Sequence, residues 1–323
     1  MKRNTTRQAL LNALTKAGGT PLSGQELAQQ LGVTRAAVWK AVRALQAEGY
    51  RTSAHSGLGY TLDTADLLTP EAVLSAAPRL TAPVLVYESL PGTNDTLRAL
   101  AAEGAPHGTL VLAAGQSAGR GRLGRSFVSP AGKGLYMSLL LRPGTLCPDA
   151  LTVTAAAAVA VCRAVEQLGG PSLGIKWVND LYLNGRKVCG ILTEGTASLE
   201  TGTFDSIVVG IGLNLTAEDA DFGPELSRRA GSLYPGGSAP FSRAALAGAI
   251  ARELLDLSPD FAVGEEYRSR SFLPGHWVTV SGDGPDYPAQ VLGIDDRCRL
   301  LIAVNGRKKA LQHGEVSIRP APV

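Results

Sequence analysis

The chain has 323 residues, 45% of them apolar and 18% charged, with a formal net charge of +3. That apolar content is enough to bury two or three cores, which excludes an intrinsically disordered chain and a single small module. The four cysteines, Cys147, Cys162, Cys189 and Cys298, contain no C-x-x-C pair, so the sequence encodes neither a disulfide framework nor a zinc site, and a reducing cytoplasm is the expected compartment.

The N-terminus has too short and interrupted an apolar stretch for a signal peptide. Thr5 to Ala17 sets Ala9, Leu10, Ala13, Leu14 and Ala17 on one helical face and stops at Gly18-Gly19. A second helix is predicted from Ser23, whose hydroxyl caps it with Glu26 at N3, to Gly32. Thr34 then caps RAAVWKAVRALQAEG, with Val38, Ala41, Val42 and Leu45 inward; Ala28, Gly32 and Val38 suit the close crossing of a helix-turn-helix. YRTSAHSGLGYTL reads as two short strands around a turn, a wing. Residues 1–66 hold eight Lys/Arg against four acids and the remainder 23 against 24, so the basic excess sits where a polyanion such as DNA would dock. The expected DNA contacts are Thr34, Arg35, Lys40 and Arg43 on the third helix, with Arg51, His55 and Ser56 near the wing for phosphates. A helical docking module with a solvated basic face is the alternative.

From about Thr69 to Phe272 strands and helices alternate. PVLVYESL, GTLVLAAGQS and GLYMSLLLRP read as strands, TNDTLRALAAEG as a helix capped by Thr and Asn, and TVTAAAAVAVCRAVEQLG as a buried helix whose apolar core, LTVTAAAAVAVC, falls short of a membrane span. SLGIKWVNDLYL, NGRKVCGILTEGT and DSIVVGIGLNL follow as strands, Asn184-Gly185 marking a type I′ hairpin. An α+β domain on a mixed sheet is predicted; the phosphate-loop and dinucleotide fingerprints are absent from the sequence.

Within this stretch Gly115 to Arg125 reads GQSAGRGRLGR, and no acid occurs between Glu103 and Asp149 while Arg120, Arg122, Arg125, Lys133 and Arg142 do. Arginine forks and close-approaching glycine backbone suit an anion cradle, although a solvated basic loop has the same composition. Beyond Phe272, HWVTVSG, YPAQVLGID, RLLIAV-NG-RKKAL and EVSIRP have the spacing of a small β-barrel.

SLPGTNDTL, GQSAGRGRLGRSFVSPAGKGLYMSLLLRP, IKWVNDLYLNGRKVCGILTE and VVGIGLNL occur in the order seen in biotin protein ligases. With the N-terminal unit added, nearly the whole chain resembles the bifunctional biotin ligase and biotin operon repressor family. The resemblance implies a winged helix-turn-helix over 1–66, a catalytic mixed-sheet domain of the class II synthetase-like type over 67–272, and an SH3-like barrel over 273–323. It implies activation of biotin by ATP, with Mg2+, to biotinyl-5′-AMP, and transfer to a lysine of a biotin carboxyl carrier protein. It further implies repression at operator DNA by a homodimer carrying biotinyl-AMP as corepressor, with no membrane role.

By the same resemblance Arg120, Arg122 and Lys187 are the catalytic cations. Gly92, Thr93, Asn94, Gln116 and Gly121 join them around biotin, Thr93 and Gln116 facing its ureido ring. Arg125, Lys176, Asn179, Asp180 and Asn214 face the nucleotide. Asp180 either orients Lys187, helps hold magnesium or caps the hairpin, and Trp177 is core rather than an adenine platform. Three departures stand out: Gly92 where the family commonly has serine, Val178 where proline is usual, and Leu123 where the loop often has another arginine. A ligand-sensing repressor without catalysis and a lipoate-type ligase are the competing readings. Arginine loop plus lysine argues against the first. The sequence lacks the glycine-rich R-x-S-G-G-G motif of the second.

Overall fold

The computed structural model describes residues 6–17, 20–47, 52–55, 57–62, 66–143, 149–197, 204–258, 260–262, 264–282, 284–312 and 314–318. Helices α1 (Thr6–Lys16), α2 (Gly24–Leu31) and α3 (Arg35–Ala47) precede a hairpin of β1 (Thr52–His55) and β2 (Gly59–Leu62). The capping box forms as the sequence predicts, Glu26 N donating to Ser23 Oγ and Ser23 N to Glu26 Oε2, both at 3.0 Å. Gly32 ends α2 at φ +64, and Ala37 N donates to Thr34 Oγ1 at 3.2 Å to open α3. Leu10, Leu14, Leu27, Val38, Leu45 and Leu62 close a core of their own. Among the described residues, two ion pairs tie this unit to the rest. Arg7 pairs with Glu88 at 2.6 Å. Asp66 accepts from the backbone N and Nε of buried Arg243 at 2.7 and 3.0 Å.

The central unit runs α4 (Pro70–Ala76), β3 (Val84–Leu90), α5 (Thr93–Ala102), β4 (Leu110–Gln116), β5 (Gly134–Leu141), α6 (Ala150–Gln167), β6 (Gly174–Lys176), β7 (Asp180–Leu183), β8 (Arg186–Ala197), β9 (Phe204–Asn214), α7 (Asp219–Leu226), α8 (Arg243–Leu257) and α9 (Gly264–Arg270). Its seven strands lie in the order β3-β4-β5-β9-β8-β7-β6, with β3 and β4 parallel and every other pairing antiparallel. Alternation along the strands sends Leu110, Leu112, Leu135, Met137 and Leu139 to the helices α4, α6 and α8. Val111, Leu140 and Val208 face α5 on the other side. With both faces covered, β5 is buried along its whole length.

Helix α6 is 18 residues long and apolar enough by length and composition to cross a membrane, yet 72% of it is buried inside the protein. The sequence reading assigns no element to residues 219–270, where α7, α8 and α9 form.

The last unit is an antiparallel sheet of β10 (Trp277–Gly282), β11 (Gly284–Ile294), β12 (Leu300–Val304), β13 (Arg307–Leu311) and β14 (Glu315–Ile318), ordered β13-β12-β11-β10-β14. Asn305 and Gly306, at φ +49 and +76, make the expected tight turn between β12 and β13. Its apolar face, with Val278, Ala289, Leu300 and Ile302, is continuous with the central core. Trp177 is buried at that junction and donates Nε1 to Cys298 O at 2.8 Å, the core role expected of it.

Candidate active site

The α5 side of the sheet holds the site, and its first wall is the start of that helix. Here the structure corrects the sequence reading. Thr93 and Asn94 do not cap α5; Gly92 does, in an extended conformation (φ −162°, ψ 139°) without a side-chain cap. The two polar side chains fall in the first helical turn and turn to the strands instead, where buried partners await them. Thr93 N donates to Gln116 Oε1 at 2.9 Å, and Gln116 Nε2 donates to Ser129 Oγ at 2.9 Å. Ser138, the one serine of β5 and fully buried, sits 2.7 Å from Thr93 Oγ1 and donates to Asn94 Oδ1 at 2.6 Å. Asn94 Nδ2 donates to Glu194 Oε2 at 2.7 Å. The result is a set of fixed amides and hydroxyls at one end of a cleft.

Glycine lets this wall approach the sheet. A Cβ on Gly210 would lie 2.0 Å from Asn94 Oδ1, and one on Gly212 would lie 2.5 Å from the Phe127 ring. The arginine loop folds over the same floor, with Phe127 N donating to Gly119 O at 2.8 Å and Gly121 N to Arg125 O at 2.7 Å. Arg120 Nη2 reaches Asp95 Oδ1 at 2.6 Å and Glu194 Oε1 at 3.3 Å. Arg122 donates to Asn179 Oδ1 and to Gly314 O, both at 3.2 Å, so the C-terminal sheet touches the loop. Leu123 stands at the loop tip, 73% exposed with φ +56°.

The β7–β8 hairpin forms the opposite wall. Asn184 and Gly185, at φ +51 and +75, turn it as the sequence predicts and bring Lys187 Nζ to 2.6 Å from Asp180 Oδ1. The backbone of Lys187 is itself pinned, N donating to Arg229 O and its carbonyl accepting from Gly231 N, both at 2.8 Å. Asn179 Nδ2 donates to Ile191 O at 2.9 Å. Lys176 Nζ lies 5.8 Å from the centre of the Tyr182 ring, whose phenol is pushed up to about 12 by burial and then by the Asp180 charge. Asn214 is buried, gives Nδ2 to Gly231 O at 2.9 Å, and leaves Oδ1 without a protein partner.

One cavity of about 550 Å³ is lined by Gly92, Thr93, Asn94, Gln116, Arg120, Gly121, Arg122 and Arg125, and across from them by Lys176, Asn179, Asp180, Lys187 and Asn214. The structure thus brings together every site residue expected for the central unit, in a volume suited to one drug-sized ligand. Sequence reasoning missed Ser138, Glu194, Asp95 and Phe127. Of these only Ser138 carries a signal, as the one serine inside an otherwise apolar and aromatic strand.

No described cysteine or histidine lines the cavity. The three described cysteines are all buried; burial pushes the Cys162 thiol up to about 12 and Cys298 to about 11, and raises Cys189 further. Among the described residues there is no cluster of three or more His, Cys, Asp or Glu that could hold a metal. On the N-terminal unit Thr34, Arg35, Lys40 and Arg43 are exposed on or beside α3, as expected, and Arg51 and Ser56 lie outside the described residues. Trp39 stands beside them, 54% exposed, with the Arg43 guanidinium 5.9 Å from its ring centre.

A model of the biotin/lipoate A/B protein ligase family matches residues 86–214, and a model of an HTH domain matches residues 6–61. The bifunctional ligase/repressor BirA of Bacillus subtilis (strain 168) is 34% identical over 331 residues, covering 98% of this chain and 99% of its own. The chain belongs to the bifunctional biotin ligase/repressor family. BirA of Escherichia coli (strain K12), another member, is 30% identical over 330 residues, with 99% of each chain covered. The family's fold is also seen in a biotin protein ligase from Aquifex aeolicus in complex with biotin and ATP, matched with TM-score 0.61 and 26% identity over 74% of this chain and 99% of that one.

Proposed function

We propose that this chain is an ATP-dependent biotin ligase that also acts as a DNA-binding repressor of biotin genes. The observation that carries the reading is the cavity itself: fixed amides and hydroxyls, Arg120, Arg122 and Lys187 line one space, on a chain 98% of which matches a bifunctional ligase/repressor. In the first step a biotin carboxylate oxygen attacks the α-phosphorus of ATP and pyrophosphate leaves. An anion must approach a polyanion, so positive groups have to offset the repulsion and the charge that grows on the leaving group. Arg120, Gly121 and Arg122 meet the carboxylate and phosphate, while Lys187, oriented by Asp180, holds the α-phosphate. Thr93, Gln116 and Asn94 face the ureido ring, with Gly92 giving only backbone. Arg125, Lys176, Asn179 and Asn214 face the nucleotide, and the unpartnered Asn214 Oδ1 is an acceptor for a ligand N–H or O–H. Magnesium enters with ATP; Asp180 is the carboxylate beside the phosphate-binding lysine.

In the second step the acceptor lysine's amine nitrogen attacks the acyl carbon of biotinyl-5′-AMP, AMP leaves, and the amine sheds a proton. The mixed anhydride is already activated, so an enzyme nucleophile is unnecessary, in keeping with the three described cysteines being buried and none of them lining the cleft. The acceptor is a carboxylase's biotin carboxyl carrier protein. The β1–β2 hairpin serves as a wing beside α3, and the five C-terminal strands close as an SH3-like barrel against the loop. With units at 1–66, 67–272 and 273–323, a cytoplasmic homodimer loaded with biotinyl-AMP spans two operator half-sites. The test is transfer: a purified carrier domain incubated with the chain, biotin and ATP should gain one biotin by mass spectrometry at its acceptor lysine. No gain at that lysine would overturn the ligase reading.

A further inference from the structure

Asp95 lines the cavity, and Glu194 stands just behind it, so two carboxylates border a site read as binding anions. Left unpaired, they would repel the ligand. Two arginines prevent this, and they do so through the same atoms. Arg120 Nη2 and Arg98 Nη2 each lie 2.6 Å from Asp95 Oδ1, and Arg120 Nη2 and Arg98 Nη1 each lie 3.3 Å from Glu194 Oε1.

The four groups are not equally fixed. Glu194 is anchored through its other oxygen by Asn94 Nδ2 at 2.7 Å, and Asp95 and Arg98 are three residues apart on one face of α5. Arg120 alone sits on the loop, between Gly119 and Gly121. It is the partner that can leave.

We propose that Arg98 is a positioning residue that relieves Arg120 of its counter-ions: when a ligand anion draws the Arg120 guanidinium into the cleft, Arg98 keeps both Asp95 and Glu194 paired. This rests on the reading that Arg120 meets the anionic group of the ligand. Without Arg98, moving Arg120 toward the ligand strands two like charges at the rim of an anion site, and they pull it back. With Arg98 in place the departure leaves a neutralised pair. Single exposed ion pairs contribute little, but groups that share partners couple strongly.

The test is a double-mutant cycle on the full chain, with the dissociation constant measured calorimetrically for a biotinyl-adenylate analogue whose acyl phosphate is replaced by a phosphodiester. Arg98→Met should weaken binding about 3- to 10-fold. Arg98→Lys, which restores the cation, should stay within about twofold of the parent. In an Arg120→Ala background, Arg98→Met should weaken binding by clearly less than it does in the parent, because only the direct repulsion of the two bare carboxylates remains and no guanidinium is pulled back from the ligand. Arg98→Gln serves as the second variant if the methionine form unfolds, and thermal unfolding checks each protein. An unchanged affinity in Arg98→Met overturns the proposal. So does an equal loss in both backgrounds, which signals a through-space field or damage to α5. If Arg120→Ala alone binds the analogue like the parent, the assignment of Arg120 to the ligand anion fails first, and the relief with it.

Discussion

Lys187 is two residues beyond a tight turn and 2.6 Å from the Asp180 carboxylate, which holds its ammonium toward the cleft. Losing one charge-assisted contact to a developing anion costs about 3 to 4 kcal/mol, or about 10² to 10³ in rate. Lys187→Ala and Arg120→Ala are therefore expected to cripple adenylate formation while melting within a few degrees of the parent; single-turnover adenylate yield and calorimetry check both halves. Gly92 makes a second case. Its backbone is extended, and an added Cβ would meet Asp95 Oδ2 at 3.4 Å, an ordinary contact. Gly92→Ser should fit, cap α5, raise stability by a few tenths of a kcal/mol, roughly the usual gain of serine over glycine at this position, and tighten biotin binding. Weaker biotin binding in this variant would show that the missing hydroxyl is not a loss. These side chains were legible because arginines, a lysine and an N-G turn occur in motifs. Asp95 and Glu194 were not, since a carboxylate on a helix face or in a strand looks the same whether it meets water or an arginine a hundred residues away.

Helix α3 carries the operator-facing reading, and its fate in the sequence was sharper than that of most elements. Cap, turn glycine and inward face all follow from local chemistry, so the structure reproduces them. Trp39 escaped because an apolar residue beside a core stripe is usually part of it. At 54% exposure it contributes little to folding, yet it stands among Arg35, Lys40 and Arg43. Trp39→Ala should leave unfolding unchanged and cost about 1 to 2 kcal/mol of operator affinity, whereas Lys40→Ala should weaken all DNA similarly and lower the salt slope by about one. Titration at several salt concentrations separates the two. Helices α7 and α9 were illegible for a different reason: α7 is broken at Gly223 and contains Pro224, and α9 has seven residues. Helix α8, Ala/Leu-rich and capped by Ser242, was legible and unassigned. Between α6 and α9, the Arg270 hydrogen bond holds Glu166 below its usual value of 4.5. A depressed folded-state pKa adds stability above the ordinary glutamate value, lost as pH falls through the lower folded one. Glu166→Gln should thus be less stable than the parent at pH 7, and the gap should close as denaturation is repeated below pH 4.5. A gap independent of pH would rule the pair out as its source.

Across the whole molecule, long-range charge pairs decide what composition only suggests. Arg243 is 5% exposed and takes its counter-ion from Asp66, the last residue of the unit expected to bind DNA. Removing residues 1–66 strips that partner and should destabilise the remainder by about 3 kcal/mol, while removing 1–62 should not. Both truncations should lose operator binding, and the longer fragment should keep ligase activity. Repression couples the ends: if the adenylate orders the arginine loop and favours a dimer, operator DNA must tighten adenylate binding by the same factor. All of this depends on the cleft making the adenylate. The most direct measurement is exchange of labelled pyrophosphate into ATP by the intact chain, with and without biotin. Exchange that requires biotin and falls about 10²- to 10³-fold in Lys187→Ala is the expected result. Exchange absent with biotin present, or within twofold of the parent in Lys187→Ala, would contradict the assignment.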